Sequence, residues 1–519
     1  MAAAATHNIE ERRQEEQVRL DLLKTALERN KLGQFATPPE LALSLARYAQ
    51  TLLGADPVCF LDPAIGTGSF FSALLQSFSE NQVQQAAGIE IDPLFARTAR
   101  ELWAGVGLQV IEGDFTRQPP KPIYNLVLTN PPYVRHHHMP SSEKERLKAR
   151  LAQSLQLDIS GLAGLYCYFL LLAHEWMEKQ GLGIWLIPSE FMDVNYGVTI
   201  RRYLTDRVTL LHIHRFCPTD VQFSDALVSS AVVVFRNAPP LAGHHTKFSF
   251  AGSIEAPRTE ALVSLDTLRR SRKWTRFPES TTAHEKAELT LGDIFSIKRG
   301  LATGSNEYFI LDEDRVREWQ IPRQALKPIL PGPRYITTDV VDARPDGTPD
   351  LALRLFLLDS SEPEERIQAR WPRFHEYLQT GRAQKIADSY LASHRAPWYS
   401  QEQRPPAPFL CTYMGRARDG KHPFRFIRNR SQATAHNVYL MLYPKGPLQA
   451  ALQDQPDLTE RVFQALQRIT PSQLVSEGRV YGGGLHKVEP KELAQIPAHE
   501  VLESVEGHVR IERQETLFV

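Results

Sequence analysis

The chain has 519 residues, 60 basic and 60 acidic side chains, and 42% hydrophobic residues. That length calls for two or three domains, and the balanced charge excludes a global basic footprint, so a nucleic-acid partner needs a local patch. Four dispersed cysteines without a CxxC pair, no run near the ~18 apolar residues of a membrane span, and no signal-peptide order at the N-terminus read as a cytoplasmic protein without a membrane segment.

Residues 1–30 contain "NIEERRQEEQVRLDLLKTALERN", which reads as an exposed amphipathic helix. From 31 to 245, strand-like runs alternate with helical patterns: "CFLDPA", "AAGIEID", "LQVIEGD", "YNLVLTN", "GIWLIPS", "LLHIHRF" and "SSAVVVFRN". The alternation predicts an α/β domain around a mostly parallel sheet. Near "APPLAGHHT" it stops, so residues 246–285 read as a linker and 286–519 as an irregular α+β domain broken by "PILPGPRY" and "QRPPAPF".

Within the α/β half, "CFLDPAIGTGSFFSALL" is a strand, a turn with Gly66 and Gly68, and a helix start. Those glycines let a ligand approach the backbone closely. Glu90 ends the next strand, where such folds place a carboxylate on ribose hydroxyls, and Asp114 ends a third, within reach of an adenine amino group. Phe115 beside it offers cover for a purine face. Each carboxylate alone reads equally as a helix cap. Because no P-loop lysine follows Gly68, a nucleoside without phosphates fits better than a triphosphate.

In that order, "DPAIGTGSF", "GIEID", "EGDF" and "TNPPY" resemble the class I (Rossmann-like) S-adenosylmethionine-dependent methyltransferases that modify amino groups. "GQFATPPELA", placed before them, resembles the opening of the gamma-class, Taq-type DNA adenine methyltransferases. The resemblance implies that Thr37, Asp62, Ala64, Gly66, Glu90, Ile91, Asp114, Phe115, Asn130, Pro132 and Phe169 contact S-adenosylmethionine. It also implies a target-recognition domain in the second half, with "IKRGLATGSNEYFIL" at its entry.

"TNPPYVRHHHMP" carries the chemistry. An exocyclic amino group is a poor nucleophile because its lone pair is delocalised into the ring. Acceptors aimed at its N–H bonds, here the Asn130 side-chain oxygen and the Pro131 carbonyl, favour a tetrahedral nitrogen and release that pair. Pro131 and Pro132 stiffen the turn, and Tyr133 offers an aromatic face for an extruded base. By resemblance Phe223 stacks on the other side of that base; simple core packing is the alternative. His136, His137 and His138 lack the partners of a metal site and read as a polar loop near DNA phosphates.

In "MGRARDGKHPFRFIRNR", Arg425, Arg428 and Arg430 read as DNA contacts. Asp457, Glu489 and Lys491 can be forced into a nuclease pattern, but so short a pattern arises easily by chance. The sequence therefore predicts an adenine N6-methyltransferase acting on double-stranded DNA by base flipping, the modification partner of a separately encoded restriction endonuclease. The alternatives are methylation of an RNA base or a protein glutamine, or a catalytically silent DNA-binding specificity subunit.

Overall fold

The computed structural model describes residues 2–79, 81–217, 222, 229–278, 289–416, 422–481 and 485–506. The chain forms two compact units, Met1–Glu285 with Tyr481–Gly483, and Lys286–Val480 with Gly484–Val519.

In the first unit, helices α1 (Ala2–Asp21), α2 (Ala26–Leu32) and α3 (Pro39–Leu53) precede the sheet. Then come β1 (Val58–Asp62), α4 (Ser69–Ser77), β2 (Val83–Glu90), α5 (Pro93–Trp103), β3 (Leu108–Glu112), β4 (Tyr124–Thr129), α6 (Ser141–Leu155), α7 (Leu165–Leu172) and β5 (Met177–Pro188). The unit closes with α8 (Val198–Asp206), β6 (Thr209–Arg215), β7 (Ser230–Arg236), β8 (His245–Gly252), β9 (Pro257–Ser264) and α9 (Leu265–Arg270). The strands form one mixed sheet in the order β3-β2-β1-β4-β5-β7-β6-β8-β9. Only β7 and β9 oppose the common direction.

Central strands are continuous apolar runs because helices cover both faces. On one face Leu45, Phe71 and Trp103 pack with Phe60 and Leu126. On the other, Leu147, Leu170 and Tyr203 pack with Leu61, Val127 and Trp185. Alternate residues of β1 and β4 thus serve opposite cores, as the two-residue period of a strand requires.

Two expectations are corrected. The stretch 246–285 is not a linker over its described part. β8 and β9 extend the sheet, and Phe248 packs on Trp274 and Phe277 with ring centroids 6.1 and 5.0 Å apart. Pro, Gly and His around residue 240 mark only the turn into β8. The N-terminal segment is likewise not one exposed helix. Thr25 and Glu28 form a reciprocal cap that starts α2, and α1 buries Arg13 and Leu20.

The second unit mixes helices with three sheets among the described residues. The largest has the order Phe295–Arg299, Tyr439–Pro444, Phe409–Thr412, Phe426–Asn429, Val340–Val341. Short strands and interrupting helices give the α+β character.

In the first unit, β6 carries a buried polar chain. The Tyr48 hydroxyl lies 2.8 Å from His212 Nδ1, and Ser249 Oγ lies 2.7 Å from His212 Nε2 and 2.8 Å from His214 Nδ1. Burial pulls His212 down to about 3 and His214 to about 4. Both rings therefore stay neutral in the fold at pH values where unfolded imidazoles take up protons. Stability should fall as pH drops below ~6.5 and continue falling toward the folded-state values. Urea unfolding between pH 7.5 and 4.5 measures this, with a shallower slope expected for His214→Gln. An acid slope identical in that variant would assign the loss to other groups.

Candidate functional site

The site begins with where the parallel strands stop. β1 ends at Asp62, β2 at Glu90, β3 just before Asp114, and β4 just before Asn130, all on one edge of the sheet. That edge is where open α/β sheets bind ligands. Beneath it lies a cavity of about 360 Å³. Thr37, Asp62, Ala64, Gly66, Glu90, Ile91, Asp114, Phe115, Asn130, Pro132 and Phe169 all line it.

The turn after β1 is held by the chain around it. Ala64 N–H donates to Asp62 Oδ1 at 3.0 Å, and Gly66 N–H donates to Glu90 Oε2 at 2.9 Å. Gly68 has φ +92°, and a Cβ there would lie 2.3 Å from the Trp103 indole nitrogen, which itself donates to the Thr67 carbonyl. Glycine is the residue that permits both the conformation and the approach.

Asp62 accepts the Thr129 hydroxyl at 2.6 Å, and burial lifts its carboxyl to about 7 despite that bond. Glu90 is raised as well, chiefly by burial, while the Asp92 N–H reaches its other oxygen. Asp114 caps the following turn by accepting the Thr116 N–H and hydroxyl, and pairs with Arg117 at 3.2 Å. Phe115 and Phe169 pack with centroids 5.0 Å apart, and Ile91 is 66% exposed. Among the described residues no Lys or Arg lines the cavity, whereas Asp21, Asp62, Glu90, Asp114 and Glu143 do. Such a lining disfavours phosphates and suits a cationic nucleoside.

Asn130 is the distinctive group. Its amide nitrogen donates to the Phe35 carbonyl at 3.0 Å and to Thr37 Oγ1 at 3.2 Å. Because the carbonyl can only accept, this fixes which end of the amide is nitrogen. The other end, Oδ1, is buried with no hydrogen-bond partner among the described residues. A buried acceptor left unmade costs ~1–3 kcal/mol, so it marks a place for a donor.

Three expectations change here. Tyr133 is only 6% exposed, with Phe35 5.5 Å from its ring and its hydroxyl donating to the Leu186 carbonyl at 3.0 Å. It is therefore not an open aromatic face, because the adjoining 33–37 segment covers it. Pro131 is buried and does not line the cavity. The three arginines do not form a free basic face. Arg425 binds Asp339 at 2.7 Å together with the Ile336 and Thr338 carbonyls, Arg428 pairs with Glu460, and Arg430 pairs with Asp342 at 2.9 Å. Acids distant in sequence pair with these three arginines, which a local count of charge does not show.

Phe223 lies outside the described residues. His136–His138 form a short 3-10 turn, and His138 lines the cavity. No cluster of three or more potential metal ligands occurs among the described residues. Glu489 binds the Tyr413 hydroxyl and Lys487 at 2.7 Å each. Among the described residues no helix is long and apolar enough to cross a membrane.

Residues that the sequence reading missed include Gly33, Phe35, Gln17 and Asp21. Gly33 has φ +65°, and a Cβ there would meet the Tyr133 backbone nitrogen at 2.4 Å. Its carbonyl accepts the Tyr133 N–H at 3.1 Å. The "GQFATPP" run signals Gly33 and Phe35, whereas nothing in the charged helix signals Gln17 or Asp21. Gly33→Ala should displace the 130–133 turn and remove activity while the fold persists; normal turnover in this variant would show that the turn tolerates displacement.

Residues 108–222 match the family described as Eco57I restriction-modification methylase, and residues 275–517 match the C-terminal domain of Type II methyltransferase M.Eco57I. Type II methyltransferase M.XamI of Xanthomonas campestris pv. amaranthicola is 28% identical over 467 residues, covering 87% of this chain and 83% of its own. M.AccI of Acinetobacter calcoaceticus is 25% identical over 486 residues, covering 90% and 85%. In fold, the chain is similar to the Type IIL restriction-modification enzyme MmeI, solved with DNA, at TM-score 0.56 and 12% identity over 93% of this chain and 77% of that one.

Proposed function

We propose that this chain, a DNA methyltransferase of the restriction–modification type using S-adenosylmethionine, is a gamma-class enzyme that methylates adenine N6 in a flipped-out base. The observation that carries this reading is the anchored Asn130 amide with its buried, unpartnered Oδ1. S-adenosylmethionine supplies a methyl group already activated on a sulfonium, so the protein needs neither a metal nor a nucleophilic side chain.

The chain's own task is orientation. Asn130 Oδ1 accepts one N–H of the target amino group, drawing its lone pair out of the ring and toward the methyl carbon. Bound there, the cofactor would supply the methyl group from its sulfonium to that nitrogen, whose surplus proton would leave to solvent, and Asn130 would hold the nitrogen in line for the transfer. Fixed geometry in a dry site does most of this work. Glu90, Asp62 and the Gly66 turn hold the cofactor, with Phe115 and Phe169 against its adenine. Stacking of the target base on Tyr133 requires Phe35 to give way. The second unit reads the DNA, and a separately encoded endonuclease is its partner in the system.

The test is methyl transfer to duplex DNA, RNA and protein in parallel, with digestion to identify the modified nucleoside. N6-methyladenine at one recurrent DNA motif is expected; modified RNA or glutamine alone would replace this reading. Asn130→Ala should lower turnover by on the order of 10²–10³, the scale of removing one preorganised polar contact, while cofactor affinity changes little.

Asp62 gives a pH signature. Held at about 7 by burial, it is largely protonated below that value in the free protein. A cationic cofactor favours the carboxylate, so binding should release a proton and weaken as pH falls from 8 to 6. Calorimetry in buffers of different ionisation enthalpy reads this directly, and Asp62→Asn should abolish the slope. A wild-type affinity flat across that range would remove Asp62 from the cationic end of the ligand.

A further inference from the structure

Helix α1 lies outside every motif that located the cofactor site, yet Gln17 and Asp21 line the cavity. It reaches the turn after β1 through the buried Arg13 and through Gln17. Arg13 is 2% exposed, its Nε and Nη2 donate to the two Glu10 oxygens at 2.7 Å each, and its Nη1 donates to Thr67 Oγ1 at 3.0 Å. Thr67 in turn donates that hydroxyl to Gln17 Oε1 at 2.8 Å, and Gln17 Nε2 donates to Asp21 Oδ1 at 3.0 Å. A second tie lies in the turn after α1, where Lys24 pairs with Asp92 at 2.6 Å, two residues beyond Glu90.

An arginine buried to this degree persists only when its donors are answered, so the Glu10–Arg13–Thr67 arrangement is costly to break. It grips Thr67 within the Gly66–Gly68 turn, whose Gly66 N–H donates to Glu90. The turn is therefore tied both to a motif residue and to a helix that no motif includes.

We propose that α1 is a wall of the cofactor site. Gln17 and Asp21 contact bound S-adenosylmethionine, and Arg13 is a positioning residue acting through Thr67. This rests on the cofactor reading above. It predicts that docking of α1 and cofactor binding are coupled, each favouring the other equally in free energy. A residue that only stabilised the fold would lower the melting temperature without that coupling.

The test uses the full chain with S-adenosylmethionine. Arg13→Met and Gln17→Ala should each weaken the calorimetric Kd by roughly five- to tenfold, the scale of one net hydrogen bond. KM for the cofactor should rise with kcat at saturation nearly unchanged, and Arg13→Lys should recover part of the loss. In the wild type, cofactor should slow hydrogen exchange in residues 9–21. If Arg13→Met lowers the melting temperature but leaves Kd and exchange protection at wild-type values, α1 is scaffold and the proposal fails. Should Arg13→Met not fold, Gln17→Ala with the exchange measurement decides alone: unchanged Kd and absent protection overturn the proposal. Wild-type protein that binds no S-adenosylmethionine would overturn the cofactor reading itself, a result distinct from the loss expected only in the α1 variants.

Discussion

The grip of the Asn130 amide on the Phe35 carbonyl and the Thr37 hydroxyl is the constraint around which the site is built. It joins a segment before the sheet to the turn after β4, nearly a hundred residues later. It also decides which end of the amide is available. With the nitrogen committed to two acceptors, the oxygen has no partner among the described residues. The Ser69 hydroxyl donating to the Thr37 carbonyl at 3.1 Å extends the grip to the start of α4. One short segment thus sets the catalytic turn and the cofactor turn together.

The electrostatics follow from burial. Carboxylates at strand ends would normally ionise freely, but Asp62 and Glu90 are enclosed and the donors reaching them are neutral: backbone N–H groups and one threonine hydroxyl. Desolvation outweighs those hydrogen bonds, so both carboxyls are raised. Asp114, nearer the mouth, has Arg117 beside it. The cavity is thus anionic in composition, yet its two enclosed carboxyls, Asp62 and Glu90, resist carrying charge without a cationic partner. That combination suits a ligand that brings its own positive charge.

Much of this was legible in the sequence because strand ends announce themselves. A run of Val, Leu and Ile closing on Asp62, Glu90 or Asn130 places a polar group at the edge of a buried sheet, and the cavity gathers the expected cofactor residues. The rest depends on pairings between distant residues. Arg425 and Asp339 are 86 positions apart, and Arg13 and Thr67 are 54 apart. A basic run looks free until its acids arrive from elsewhere, and a charged helix looks exposed until one arginine is found inside. Tyr133 shows the same limit, since only packing reveals that Phe35 covers it.

The outermost strands bear on what the molecule does in crowded solution. Without β8, the strand carrying His212 and His214 would be a sheet edge, with its hydrogen-bonding groups open to pairing with another chain. β8 covers that edge, and β9 moves the exposed border to "PRTEALVS", which begins with Pro257 and exposes Arg258 and Glu260. Glu260 also pairs with Lys247 of β8 at 2.5 Å. A border with a proline and charges of both signs is a poor template for a further strand. The segment that looks like a connector in sequence thus guards the sheet against aggregation.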